Sequence, residues 1–194
     1  MAVREILVYP QNEDALRKQS EPVRKIDRYV KHLINDLKDT LNIHHEGIGL
    51  AAPQLGVHQR VVNVCLGEDI EGEWHAGPPV ALVNPQIMEA EDERKDFDGC
   101  LSFPGLYGET VRPHYLRVIG LDENGRSLDQ VFEGFNAVLV HHEIDHLDGV
   151  LFIDRIEKIE DLYRVSIDED GRVIRVPIPI YWNTKQEKRR MPSK

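Results

Sequence analysis

The chain has little of what several protein classes require. Only two of its 194 residues are cysteines, Cys65 and Cys100, which excludes a disulfide-rich scaffold. No apolar run approaches the roughly 18 residues of a membrane-spanning helix. Lysine and arginine total 24 against 34 aspartates and glutamates, and the net charge of −10 excludes a DNA-binding face built from the whole surface. The first residues show neither an apolar signal region nor an Arg/Ser-rich leader, so we expect a cytoplasmic protein without membrane contact.

The length and the charge distribution suggest how the chain is organised. A chain of 194 residues favours one domain, which we assign to residues 1–182. Residues 183–194 carry five basic residues and one acidic residue, which predicts a solvated, flexible tail. A second hypothesis is that this tail binds RNA through phosphate contacts.

The spacing of apolar residues predicts two helices and several short strands. The helices are expected at 27–44, with Asp27 as N-cap, and at 136–146, where a largely apolar segment ends at Gly149. The predicted strands are 60–66, 80–84, 115–122 and 128–132, followed by a C-terminal hairpin whose turn is 168–171. An excursion at 67–79 interrupts them, and the segment before Pro22 is predicted only as strand or loop.

The second predicted helix contains the sequence His142-Glu143-Ile144-Asp145-His146. Imidazoles four residues apart lie on one helical face, where both can bind one metal ion. Burying two histidines and a glutamate without a metal would cost free energy, which favours a metal site. The alternative is a pair of core histidines whose hydrogen bonds are satisfied by the protein.

A catalytic metal site needs a third protein ligand and an open position for water. A third histidine in the long zinc-protease spacing is excluded, because Phe152 occupies that position. Two options stay open on spacing alone: a downstream carboxylate from Glu157 or Glu160, or an upstream thiolate from Cys100. Cys65 lies in a β-branched run and is predicted to be a small core residue.

Three segments in this order resemble the motifs of the peptide deformylases: Gly47-Ile48-Gly49-Leu50-Ala51-Ala52-Pro53-Gln54, Gly99-Cys100-Leu101-Ser102 and His142-Glu143-Ile144-Asp145-His146-Leu147. The resemblance implies Cys100, His142 and His146 as ligands of one divalent metal, iron(II) first, with zinc(II), nickel(II) or cobalt(II) as alternatives. It implies Glu143 as the acid and base, and Gln54 with the Leu101 amide as donors to the oxyanion.

The resemblance also implies the fold and the substrate. The fold would be α+β, with antiparallel sheets around a central metal-binding helix, an N-terminal helix and a C-terminal hairpin. The substrate would be the N-formylmethionine of nascent polypeptides, pairing along Gly47, Ile48 and Gly49. Helical spacing puts Phe135, Val138 and Leu139 on the side of His142, where they would contact the methionine side chain or serve as ordinary core.

Two residues depart from the family pattern. Asp98 stands where glutamate is usual, and His141 stands where glutamine is usual. His141 points about 100° around the helix from His142, which argues against a fourth ligand. By resemblance, Asp145 and Arg112 form a pair that supports the site. Two other functions are considered, a two-His, one-Glu peptidase and an inactive relative that binds peptide N-termini. The intact Glu143 counts against the second.

Overall fold

One curled antiparallel sheet forms the frame of the protein. The computed structural model describes residues 3–44, 47–167 and 172–178. The strands in these ranges are β1 (Gly49–Ala51), β2 (Val61–Val64), β3 (Gly67–Ile70), β4 (Glu73–Ala76), β5 (Val80–Gly99), β6 (Leu106–Leu121), β7 (Ser127–Glu133), β8 (Leu162–Ile167) and β9 (Val173–Pro177). Seven of them form the main sheet in the order β1-β2-β5-β6-β8-β9, with β7 also on β6, and β3 pairs with β4 as a separate hairpin.

Three α-helices occur among the described residues, namely α1 (Glu13–Leu16), α2 (Arg28–Ile43) and α3 (Phe135–Leu147). The helix predicted at 27–44 is confirmed, and the Asp27 carboxylate accepts hydrogen bonds from the amides of Tyr29 and Val30 as its N-cap. The short α1 differs from the strand or loop expected before Pro22. A single helical turn is too short to show the periodicity that predicts a helix.

Helix α3 lies in the centre of the fold. Every residue from Ala137 to Leu147 is buried, and the helix packs on β1, β2 and β6. Its apolar residues share one core with side chains such as Val62 and Leu116, while α2 covers a second core that includes Val61. Because the helix is buried along this length, its polar residues His141, His142, Glu143, Asp145 and His146 lie in the interior together with its apolar ones.

The two longest strands, β5 and β6, extend well beyond the predicted segments 80–84 and 115–122. Residues 86–95 are all exposed and mostly charged, so this part of β5 lacks the apolar alternation that predicts a strand. It is held by backbone pairing with β6 that continues to Gly99 opposite Tyr107. The paired ends bring residues 98–100 to the buried face of α3.

Two further hairpins complete the chain. The excursion predicted at 67–79 contains the β3–β4 hairpin. Strands β8 and β9 pair antiparallel, with Tyr163 opposite Pro177, and the predicted turn at 168–171 lies outside the described residues. The α+β class is confirmed. No helix in the described ranges is long and apolar enough to cross a membrane.

Gly149 lies two residues beyond the end of α3 and packs against the N-terminal segment at Arg17. A substitution there tests how much this packing contributes to stability. The φ of Gly149 is +72°, and an added Cβ would lie 2.2 Å from the Arg17 carbonyl oxygen. We expect Gly149→Ala to lower the free energy of unfolding by more than the ~1–2 kcal/mol that a left-handed alanine costs. Urea unfolding would measure this loss. Gly72→Ala is the control, because Gly72 has a φ of +88° and nothing within 4 Å of its added Cβ. Equal losses in both variants would contradict the predicted clash.

Candidate metal centre and active-site cleft

A cleft of about 570 Å³ opens beside α3. The residues predicted to form the site line this cleft, with the exception of His146: Gly47, Ile48, Gly49, Gln54, Cys100, Leu101, Phe135, Val138, Leu139, His142 and Glu143. His146 is buried one helical turn beyond His142 and is only 1% exposed. Segments that are more than 90 residues apart in sequence therefore meet at one surface.

The side chains of Cys100, His142 and His146 converge at the inner end of the cleft. Each offers one metal-binding atom, and these atoms all lie within 4.8 Å of one another. Cys100 Sγ lies 3.2 Å from His146 Nε2. Cys100 directly follows β5, and the two histidines are adjacent on one face of α3 because they are four residues apart.

This donor set fits a divalent transition metal. One thiolate and two imidazoles are ligands that zinc and iron accept, and three protein ligands leave a position for water or substrate. The buried Oε2 of Glu143 has no hydrogen-bond partner among the described residues. A polar group left in this state is expensive in a core, which is consistent with a site built for binding rather than for packing.

Asp98 holds the first histidine. Its Oδ1 lies 2.7 Å from His142 Nδ1, which leaves Nε2 of that ring to face the metal position. Its Oδ2 accepts from Arg112 Nε at 2.7 Å and from the Thr110 hydroxyl at 2.9 Å. Burial opposes ionisation of Asp98, but the charges of His142 and Arg112 keep its pKa below the ordinary range. The carboxylate is therefore ionised and orients the ring.

Arg112 connects this carboxylate to a second one on α3. The guanidinium is 0% exposed, and its Nη1 lies 2.7 Å from both Asp145 Oδ2 and His141 Nδ1. Arg155 Nη2 donates to the other oxygen of Asp145 at 2.7 Å. Burial lowers the pKa of His141 to about 4, so its ring is neutral and can accept from the arginine. Two arginines and two carboxylates thus balance in charge beneath the cleft.

Glu143 follows the candidate ligand His142 in α3 and packs against β1 at Gly49. It is 3% exposed and packs so closely on β1 that a Cβ at Gly49 would lie 2.3 Å from its Oε1. Only glycine leaves room for this carboxyl group. Burial raises the pKa of Glu143 to about 7, so near neutral pH it can both accept and give up a proton.

The side chain of Gln54 points toward Cys100. Its Oε1 accepts from the Ala51 amide at 2.8 Å, and its Nε2 donates to the Ser102 hydroxyl at 3.1 Å. The same Nε2 lies 3.6 Å from Cys100 Sγ. The side-chain amide is thus fixed with its N–H group beside the candidate ligand Cys100.

The alternative carboxylate ligands do not reach this position. Glu157 and Glu160 are exposed, and neither belongs to the group of donors found among the described residues. The buried ring of Phe152 stacks near His142, with 6.5 Å between ring centroids. A site with two histidines and one of these glutamates is therefore not formed.

Several supporting residues were not predicted from the sequence. Ser102 and Thr110 orient Gln54 and Asp98, and Arg155 neutralises Asp145. The sequence carried no signal for them, because the residues buried alternately at the start of β6, namely Leu106, Gly108, Thr110 and Arg112, do not form an apolar series. Once its burial is known, an arginine indicates a carboxylate partner.

Comparisons with known proteins agree with this geometry. A family model for polypeptide deformylase matches residues 3–161. The peptide deformylase of Alkalilimnicola ehrlichii is 43% identical over 160 residues, covering 82% of this chain and 85% of that protein. The crystal structure of peptide deformylase from Ehrlichia chaffeensis in complex with actinonin has a TM-score of 0.73 and 37% identity, covering 81% of this chain and 91% of its own. A Met-Ala-Ser-bound class I type b peptide deformylase from Acinetobacter baumannii has a TM-score of 0.71 and 29% identity, with coverages of 80% and 100%. With this match over most of its length, the chain belongs to the peptide deformylase family, the metal-dependent hydrolases that remove the N-formyl group from nascent peptides.

Proposed function

We propose that this deformylase releases formate from N-formylmethionine with one divalent metal held by Cys100, His142 and His146, and with Glu143 as acid and base. The observation that carries the proposal is the convergence of these three donors within 4.8 Å, beside a buried glutamate. The proposed metal is iron(II), and zinc(II), nickel(II) and cobalt(II) suit the same thiolate and imidazole ligands. A divalent ion bound there would polarise the formyl carbonyl and lower the pKa of a water molecule toward ~7.

Glu143 carries the proton. It follows ligand His142 directly in α3, and its pKa of about 7 allows it to take a proton from the attacking water. The same carboxyl group then delivers the proton to the amine nitrogen as the bond between carbon and nitrogen breaks. One water molecule is consumed, and formate and a free N-terminal amine leave the site.

Gln54 and Leu101 stabilise the negative charge on the formyl oxygen. The Gln54 Nε2 group is fixed near Cys100 by its bonds to Ala51 and Ser102, so it needs no reorganisation during the reaction. The backbone amide of Leu101, next to the cysteine, is the second proposed donor.

The substrate backbone lies along Gly47, Ile48 and Gly49 as an added strand. Gly49 touches Glu143, so the formyl end belongs there and the rest of the peptide extends toward Gly47. Phe135, Val138 and Leu139 line the cleft from α3 and supply the apolar wall for an unbranched methionine side chain.

Residues 1–182 are proposed as one catalytic domain acting in the cytoplasm on nascent chains. The basic tail at 183–194 lies outside the described residues. Its docking on ribosomal RNA therefore remains a prediction from charge alone.

Replacing Glu143 tests the proton carrier. We expect Glu143→Gln to lower kcat about 10²- to 10⁴-fold while one equivalent of metal stays bound, because the substitution removes the base and keeps the shape. Formate release from formyl-Met-Ala-Ser by anaerobically purified protein measures the rate, and metal is assayed on the same sample. Asp148→Asn, at an exposed carboxylate after α3, is the control. A variant that keeps its kcat would refute the role of Glu143.

Gln54→Leu tests the donor to the oxyanion. The expected result is a kcat about 10²- to 10³-fold lower with little change in KM, because the donor acts on charge that develops in the transition state. Steady-state kinetics with the same peptide separate the two constants. Gln59→Leu makes the same exchange at a residue that does not line the cleft, and it should leave both constants near those of the wild type. An effect confined to KM would assign Gln54 to substrate binding.

Cys100→Ser tests the third ligand. We expect most of the bound metal to be lost, because a neutral hydroxyl is a far weaker ligand than a thiolate. The matched control is Cys65→Ser, which exchanges the same atoms at a cysteine buried in the core under α2. Metal content per chain is measured by elemental analysis of both variants. If Cys100→Ser keeps its metal, the thiolate is not a required ligand and the proposed donor set is wrong.

A further inference from the structure

Arg112 lies beneath the proposed metal centre and needs several hydrogen-bond acceptors. Its guanidinium is fully buried and offers five N–H donors in a fixed plane. Nε donates to Asp98, and Nη1 lies 2.7 Å from Asp145 Oδ2 and from His141 Nδ1. His142 Nδ1 is 3.4 Å from Nη2, a long contact, and that nitrogen already faces Asp98 at 2.7 Å. His141 is therefore the uncharged acceptor with a short contact to this guanidinium.

His141 is positioned to accept a hydrogen bond from Arg112 and does not point toward the proposed metal. It precedes ligand His142 in α3, so its side chain points about 100° away around the helix, toward β6. It is 8% exposed, and its Nδ1 faces the guanidinium, which leaves the proton of the neutral ring on Nε2. Arg112 already has two carboxylates. An imidazole adds a lone pair without adding a third negative charge to a buried site.

We propose that His141 is a positioning residue for the metal centre, acting through Arg112 and Asp98 on ligand His142. The inference rests on the proposed metal centre. Each link is a short contact: His141 to Arg112, Arg112 to Asp98, and Asp98 to His142, all at 2.7 Å. Without the first link one N–H group on Nη1 of Arg112 is buried without its acceptor, and the guanidinium shifts to satisfy it. Asp98 keeps its bond from Thr110, so the histidine is loosened rather than released.

Two substitutions of His141 by residues of nearly equal size distinguish the loss of the hydrogen-bond acceptor from the loss of side-chain volume. Leucine and asparagine both branch at Cγ, but only asparagine places an oxygen where His141 has Nδ1. We expect His141→Leu to weaken zinc binding at least tenfold, as loss of a residue that supports a metal ligand typically does. His141→Asn should bind zinc nearly as tightly as the wild type. The full chain, loaded with zinc(II), is titrated with a colour-forming chelator, and the thermal midpoint of each variant is recorded.

The control is Val140→Ala, which removes buried atoms from the same helix without touching the network. The inference is supported if zinc affinity falls only in the variant that has lost the hydrogen-bond acceptor, and if this fall does not parallel the change in the thermal midpoint. Wild-type affinity in His141→Leu would overturn the inference. So would equal losses in the leucine and asparagine variants, or a matching loss in Val140→Ala. A wild-type protein that yields zinc as readily as Cys100→Ser would instead reject the metal centre itself, and this inference with it.

Discussion

The burial of Arg112 is the constraint on which the site depends. An arginine removed from water needs both opposite charge and a full set of acceptors, since an unpaired buried charge costs several kcal/mol. Asp98 at the end of β5 and Asp145 on α3 supply the charge. The guanidinium lies on β6, so satisfying it ties two strands to the central helix. The segment that carries Cys100 is thereby held against the helix that carries the two histidines.

The same site shifts the pKa values of two carboxyl groups in opposite directions. Asp98 is surrounded by His142, Arg112 and Thr110, which favour its charged form. Glu143 is equally buried but has no such partner at Oε2, so burial dominates and raises its pKa. One carboxylate therefore serves as a fixed hydrogen-bond acceptor, and the other is free to exchange a proton. The difference comes from their neighbours, which for Asp98 are His142 on α3 and Arg112 and Thr110 on β6, and not from the two side chains themselves.

Prediction from sequence succeeded where local pattern and burial agree. The helix at Arg28–Ile43 has an apolar stripe and a capping aspartate, and both were visible in the sequence. It failed along β5, where residues 86–95 are exposed and charged and the strand exists because β6 pairs with it. Backbone pairing holds an exposed strand whatever its side chains are, so the residue pattern of this segment does not reveal it. The supporting contacts of Thr110 and Arg155 were missed for the same reason, because they depend on which elements become neighbours.

The sequence by itself determined the chemistry that is available. Two histidines four residues apart on a helix, with a glutamate between them, share a face through helical geometry alone. Spacing alone left Cys100, Glu157 and Glu160 as candidates for the third donor; the family resemblance implied Cys100, and the tertiary structure shows that its thiol meets the two imidazoles. The approach of β5 brings the thiol to the two imidazoles, whereas both glutamates are exposed to solvent. Distances between segments far apart in the chain are set by the packing of the whole sheet, and a local motif carries no information about them.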